Sequence, residues 1–404
     1  MTRLAYSQSN SLKYAHVDGY RYNIKLIRRI LMSIGTWPIL EGSFAKIISI
    51  ALVVFFFSSL VITFVPCILN TLLADEDLNI KLESIGPVLY WAVSLFKYGF
   101  LLMHDEEIRD FMGQLETDWQ LTNRIQDRTV MFKYLELGRY VTIVCLIFMH
   151  TGPFSYGILK VLSPIVMTVG NVSVSMYPMP CPCYEKLLDT RYSPTFEIII
   201  TIQCISLYAA NTVAIGTCSL PALLVMHACG QIETIVLQLH DLVQDNDLSK
   251  HTLGNIVEKH VRVLSFATRI EKMIHKICFL DLLGSTLNIC MLGYYCITEL
   301  ENNDAKRMIS YGIILISMLF NIYIFCYISE KLTDQCGQIG KAAYACNWYR
   351  LPKQTILGLV IIIMRSSSVF KLTAGKIVCL SFATFGDVVK TTMVYINLLR
   401  QMAT

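Results

Sequence analysis

The sequence predicts an all-α integral membrane protein of seven transmembrane helices, with a cytosolic N-terminus and an extracellular C-terminus. Three observations predict it. Of 404 residues, 54% are hydrophobic and only 16% charged, where a soluble domain carries about a quarter charged; mean hydropathy is +0.52. Seven apolar runs approach the roughly 20 residues a helix needs to cross a bilayer core. Basic residues gather in alternate connections, which by the positive-inside rule marks the cytosolic side.

Residues 1–43 form a polar, basic cytosolic segment with Arg3, Lys13, Arg21, Lys25, Arg28 and Arg29. No charged-then-apolar segment with a small-residue cleavage site opens the chain, so the first span is expected to do the targeting. That span is Phe44 to Pro66. The second is Ile85 to Met103, interrupted by Lys97, and the third Arg139 to Leu162, with a kink expected at Pro153. The fourth, from about Pro194 to Ala228, is longer than a membrane is thick and should project into water at one end. The fifth, Ile274 to Ile297, contains Asp281, and the sixth is Met308 to Ile328. The last, Ile377 to Met402, carries Asp387, Lys390 and several threonines, which suits a helix wet on one side. The run Ile356 to Met364 is too short to span and reads as a buried cytosolic helix. The chain divides into the segment 1–43, spans one to six with helical extensions over 44–330, a cytosolic segment 331–375, and the last helix over 376–404.

With the N-terminus inside, the cytosolic connections hold Arg109, Arg124, Arg128 and Lys133, then Lys250, Lys259, Arg262, Arg269 and Lys272. The last adds Lys331, Lys341, Arg350, Lys353, Arg365 and Lys371. The outer ones, roughly 67–80, 161–192 and 300–305, hold only Lys186 and Arg191. The sequon Asn171-Val172-Ser173 falls outside, making Asn171 the candidate glycosylation site. Two cytosolic stretches are amphipathic at helical spacing: Ile108, Phe111, Met112, Leu115 and Trp119, and Ile256, His260, Leu264, Ala267, Ile270 and Ile274. Both are expected to run on into neighbouring spans and to pack on each other and on a neighbouring subunit. Membrane-surface binding is the alternative.

Several functions are excluded. A net charge of +4 is too small to suggest nucleic acid. No Gly-rich phosphate loop, His-Glu-x-x-His or nucleophile motif occurs, so no enzyme is expected. The 14 cysteines are scattered without zinc spacing and read as small packing residues, so no metal or cofactor is expected. The topology is inverted relative to a G-protein-coupled receptor. Gly138-Arg139-Tyr140 opens the third helix rather than closing it. The related halves of a secondary transporter are missing. Charges within spans need water or a partner. Lys97, near the cytosolic end of its span, is expected to snorkel. Glu197 lies near the outer end of the fourth span. Asp281 is expected to pair between helices.

Toward the C-terminus the chain reads Ala342-Ala343-Tyr344, Asn347-Trp348-Tyr349, Leu372-Thr373-Ala374-Gly375, Leu380-Ser381, Phe385 and Tyr395. This resembles the C-terminal signature of insect odorant receptors. Met226-His227-Ala228-Cys229-Gly230-Gln231 is similar to the family's segment after the fourth span, and Asp118-Trp119 to a pair in its first cytosolic loop. Gustatory receptors, the nearest alternative, end in a Thr-Tyr plus Gln-Phe pattern; Val394-Tyr395 and Gln401-Met402 depart from it. The co-receptor's long cytosolic insertion is missing, which fits a ligand-tuning subunit.

The resemblance implies an odorant-gated, non-selective cation channel in the plasma membrane of olfactory sensory neurons. The subunit would join the odorant receptor co-receptor in a heterotetramer, through a cytosolic anchor and with the last helices lining the pore. It implies that small volatile odorants bind among the outer halves of spans two, three, four and six. There lie Pro87, Tyr90 and Trp91; Phe148, Thr151 and Phe154; Ile200, Gln203 and Leu207; and Met308, Tyr311 and Leu315. An apolar, aromatic lining with few polar groups suits a volatile of low polarity, although aromatics at span ends also form interfacial belts. Tyr90 and Trp91 point apart, so at most one is expected to line the cavity. On the last helix, Thr391, Val394, Leu398 and Met402 share one face. The family's hydrophobic gate matches Leu398 and Met402, and an apolar ring blocks ions by dewetting. A packing face is the alternative. Lys390 suits a cytosolic vestibule or a neighbouring helix better than a cation path.

Overall fold

The computed structural model describes residues 20–38, 42–73, 78–161, 165–169, 172–176, 179, 181–184, 194–242, 249–301 and 304–403. Seven helices among them occupy the expected runs: α2 (Ser43–Leu73), α3 (Leu78–Met103), α5 (Ile125–Val161), α6 (Thr195–Asp241), α7 (Ser249–Glu301), α8 (Ala305–Ala345) and α10 (Phe382–Ala403). Five, namely α2, α3, α6, α7 and α8, are long and apolar enough to cross a membrane by length and composition. In α10 Asp387, Lys390 and the threonines dilute the run.

At 47 and 53 residues, α6 and α7 extend about 70 and 80 Å at 1.5 Å per residue, far more than the hydrocarbon thickness. The helix α6 is buried on every side between Ala209 and Gly230, as its all-round apolar sequence requires. On α2, Phe44, Ile47, Ile50 and Val54 are exposed, the pattern of a lipid-facing helix. Its inner face is small and polar: the Ser206 hydroxyl of α6 donates to the Ser59 carbonyl at 2.7 Å and lies 2.8 Å from the Thr63 hydroxyl. Such interfaces let helices approach closely in lipid.

The structure departs from the sequence expectations in five places. Residues 20–33 form a helix, α1, within the segment read as merely polar and basic. Its Ile27, Leu31 and Ile34 side are buried, and Tyr98 donates to the Ile34 carbonyl at 2.6 Å. The amphipathic stretch after the second span does not run on from it. A turn at His104 separates α3 from α4 (Asp105–Leu121), where Asp105, Glu106 and Glu107 favour a fresh helix N-terminus. The second amphipathic stretch does run on into its span, within α7. The helix α9 (Lys353–Ser366) buries Thr355, Leu359 and Ile362 but exposes Leu357, Ile361 and Met364, so it is only half buried. The sixth helix continues to Ala345, deep into the 331–375 segment. Finally, the connection between α5 and α6 contains an antiparallel hairpin, β1 (Ile165–Val169) with β2 (Val172–Met176).

A second hairpin explains part of the C-terminal signature. Strands β3 (Thr373–Ala374) and β4 (Val378–Cys379) flank Gly375 and Lys376, both at positive φ (63° and 60°), and Ile377 donates to the Ala374 carbonyl at 3.1 Å. That is a type I′ turn, which favours glycine. The hairpin docks on α7, with Gly375 N–H donating to the His275 carbonyl at 2.8 Å and Thr373 to Glu271 at 2.5 Å. Ser381 then caps α10, accepting from the Thr384 N–H at 3.2 Å.

Candidate functional site

The proline-bearing part of α3, the later turns of α5, the early turns of α6, and α7 and α8 line a cavity of about 110 Å³. Its wall is apolar and aromatic: Pro87, Tyr90 and Trp91 of α3, Pro153 of α5, Leu207 of α6, Met291, Leu292 and Tyr295 of α7, and Tyr311, Ile314 and Met318 of α8. The Tyr90 and Trp91 rings meet edge to face at 5.5 Å, and Tyr295 lies 5.9 Å from Tyr311.

The cavity floor is polar. Lys97 of α3 pairs with Asp281 of α7 at 2.7 Å, with both side chains 5% exposed. Asn321 of α8 donates to Asp281 at 3.0 Å, and the Cys218 thiol of α6 to the Asn321 oxygen at 2.9 Å. Lys97 therefore does not snorkel: a carboxylate within reach inside the bundle is the better partner. Asp281 makes the interhelical pair its position predicted. Glu197 is exposed.

At the far end of α6 a second polar cluster forms. Asp118 of α4 is buried and accepts from Gln231 at 2.5 Å, from Arg262 at 2.5 Å, and lies 3.2 Å from His227 Nε2. Trp119 stacks on Tyr20 of α1 at 5.5 Å. Two sequence signatures far apart in the chain thus meet in one cluster.

Residues 81–393 match the family model described as 7tm Odorant receptor. The chain belongs to the insect odorant receptor family. Among curated receptors it is 21% identical to Odorant receptor 10 of Aedes albopictus over 240 residues, 56% of this chain and 63% of that one. It is 25% identical to Odorant receptor 13a of Drosophila melanogaster over 195 residues, 44% of this chain and 46% of that one. The matched segments therefore span less than two thirds of these relatives. The co-receptor of Aedes aegypti matches over 146 residues, 30% of its length, at 22% identity. In fold, the receptor is similar to the insect olfactory receptor OR5 of Machilis hrabei (TM-score 0.75, 18% identity, 95% and 98% of the two chains). It is likewise similar to that protein's structure in complex with eugenol (TM-score 0.77, 16% identity, 95% and 99% covered). The family is one of multi-pass membrane receptors, not enzymes.

Of the residues singled out from this receptor's sequence, Pro87, Tyr90, Trp91, Leu207 and Tyr311 line the cavity. Both members of the Tyr90–Trp91 pair line it, not one. The others lie elsewhere. Phe148 stacks on Phe320 at 4.5 Å and is partly exposed. Thr151 is exposed, its hydroxyl donating to the Ile147 carbonyl at 2.6 Å. Phe154 lies against His150 at 5.6 Å. Ile200 and Met308 are half-buried outside the lining. Gln203 is buried, but its amide bonds the Cys181 backbone on both sides, accepting at 3.3 Å and donating at 2.9 Å. Leu315 packs beside Gly293, near Ile396 of α10. Asn171 falls outside the described residues, as does the Met402 side chain.

The fifth span's share of the cavity, Asn288, Met291, Leu292 and Tyr295, was missed. Its three- and four-residue spacing was visible, but nothing in it said which neighbour that face meets. On α10, Thr392 and Ile396 are buried, whereas Thr391, Val394 and Leu398 are exposed on the far side. The candidate gate face is therefore not the one α10 uses to pack within the subunit. Lys390 is exposed.

Proposed function

We propose that this receptor is the odorant-binding subunit of a ligand-gated, non-selective cation channel, assembled with the odorant receptor co-receptor in the plasma membrane of olfactory sensory neurons. The observation that carries this reading is the position of α7. Met291, Leu292 and Tyr295 face the cavity. On the opposite side of the same turns, Cys290 is buried and Gly293 lies under Ile396 of α10. One helix thus separates the ligand cavity from the helix expected to line the pore.

A ligand gates only through differential affinity for open and closed states. A molecule wedged against Met291 and Leu292 bears directly on α7, and α10 rides on the other face. The basic end of the bundle is the cytosolic one by charge, which puts the cavity in the outer half and the C-terminus outside. Exposed Leu357, Ile361 and Met364 on α9 make an apolar patch at that basic end, which assembly with other subunits would cover.

The test is current recording from cells expressing the chain with and without the co-receptor, across a panel of volatiles. Odorant-evoked cation current that needs both subunits is expected. Current from the co-receptor alone that this chain leaves unaltered would sink the reading.

A further inference from the structure

Below the apolar cavity lies a smaller chamber of about 40 Å³. The two share Tyr90, Pro153, Asn288 and Met318, whose side chains form the wall between them. The lower chamber is also lined by Asn211 of α6, which is 2% exposed. The Asn211 carbonyl oxygen accepts from the Tyr90 hydroxyl at 2.6 Å. That bond orients the amide and leaves its Nδ2 buried with no hydrogen-bond partner.

The neighbouring amides and the ammonium group each already have an acceptor. Lys97 and the Asn321 amide serve Asp281, and the Asn288 amide donates to the Gly284 carbonyl at 3.1 Å. A buried donor without an acceptor bears its full desolvation cost, whereas an acceptor brought to it recovers that cost. Sites built around such a donor discriminate strongly against analogues that lack the matching group.

We propose that the two chambers form one binding site for a small apolar molecule ending in a single hydrogen-bond acceptor, such as a ketone, aldehyde or ester, with the acceptor oxygen on Asn211 Nδ2. The hydrocarbon part fills the upper cavity against Trp91, Leu207 and Met291. The polar head passes between Tyr90 and Asn288 into the lower chamber. The ion pair Lys97–Asp281 closes the bottom and, being internally neutral, does not draw in an anion. This assignment rests on the reading of the upper cavity as the ligand site.

The test uses the purified full-length chain in lipid nanodiscs and reads binding by ligand-dependent thermal stabilisation, independently of gating. The probes are methyl hexyl ketone and the isosteric alkene that carries C=CH2 in place of C=O. The ketone is expected to bind roughly tenfold more tightly than the alkene, the size of one recovered hydrogen bond. Asn211→Leu should bring the two affinities together by weakening the ketone alone. Tyr90→Phe, which frees the amide to turn, should narrow the ratio and serves as the second variant if Asn211→Leu does not fold. Equal affinities in the unaltered chain would overturn the head-group assignment and leave the cavity reading standing; so would an unchanged ratio in both variants, the result if water alone satisfies Asn211. Failure of both probes to bind at all would overturn the cavity reading and this inference together.

Discussion

Ile396 of the last helix rests on the bare Cα of Gly293 in α7, so closely that a methyl group on Gly293 would overlap its Cδ1. This contact joins the cavity wall to the candidate pore helix. Gly293→Val should push α10 outward and lower the maximal odorant-evoked current several-fold at normal surface level. Adding Ile396→Ala makes room for the new side chain and should restore current. A double variant no better than Gly293→Val would break the proposed link.

The Lys97–Asp281 pair is buried at both ends. Removing one member of a buried pair leaves an uncompensated charge and costs about 3–5 kcal/mol, whereas an apolar replacement of both is often neutral. Lys97→Met and Asp281→Leu should each reduce folded receptor at the surface, and the combined variant should recover it. Surface labelling decides this, and additive losses would mean that the two groups do not depend on each other.

Tyr311 lines the cavity and Thr151 does not. Tyr311→Ala should shift odorant potency by about tenfold or change which odorants work, since an aromatic contact and its area are lost. Thr151→Ala should leave dose-response curves unchanged. The opposite result in recordings would move the ligand to the third span's exposed face.

The exposed face of α10 carries Val394 and Leu398. If it lines the pore, Leu398→Asn eases wetting and should raise current without odorant or alter ion selectivity. Met402→Gln, one turn further along, should act in the same sense. Leu399→Asn, about 100° around the helix, should disturb packing and expression rather than conduction. Normal basal current and selectivity in both gate variants, at normal surface levels, rules the assignment out.

His260 of α7 is buried at the basic end, and burial, with Arg365 nearby, lowers its pKa from the ordinary histidine value. The unfolded chain therefore takes up the proton first as pH falls. The stability this neutral histidine allows is present above about pH 6.5 and is lost progressively below it. Thermal melting of the purified receptor should drop between pH 7 and pH 5.5, and His260→Phe should flatten the part of that drop due to this residue. Identical pH profiles for variant and parent would show that His260 does not contribute.

Much of the fold was legible because hydropathy over a span is a local property. Seven apolar runs, the helical spacing of Ile108 to Trp119 and of Ile256 to Ile274, and the extra length of the fourth span are all written along the chain. Helix α1 was missed: Ile24, Ile27 and Leu31 recur at helical spacing, but the basic residues between them hid the pattern. The turn at His104 carried a weaker sign, three acidic residues that favour a new helix start. The cavity was harder to read. In lipid, the outward face of a helix is as apolar as the inward one, so periodicity does not say which face a span turns toward its neighbours. Tyr90 and Tyr311 were placed by family resemblance, whereas Met291 and Tyr295 on the fifth span had no such guide.

The sequence by itself determined the helical membrane architecture, the charge asymmetry between its two ends, and the C-terminal signature, including the glycine that the turn before the last helix needs at positive φ. Each depends on residues close together in the chain. Tertiary structure alone decided that Lys97 meets Asp281, that Asp118 meets His227 and Gln231, that Tyr90 turns Asn211 toward a chamber, and that Gly293 lies under Ile396. These are contacts between helices. They depend on how each helix is rotated about its axis and how far it slides along its neighbour, and both are fixed by the packing of the whole bundle.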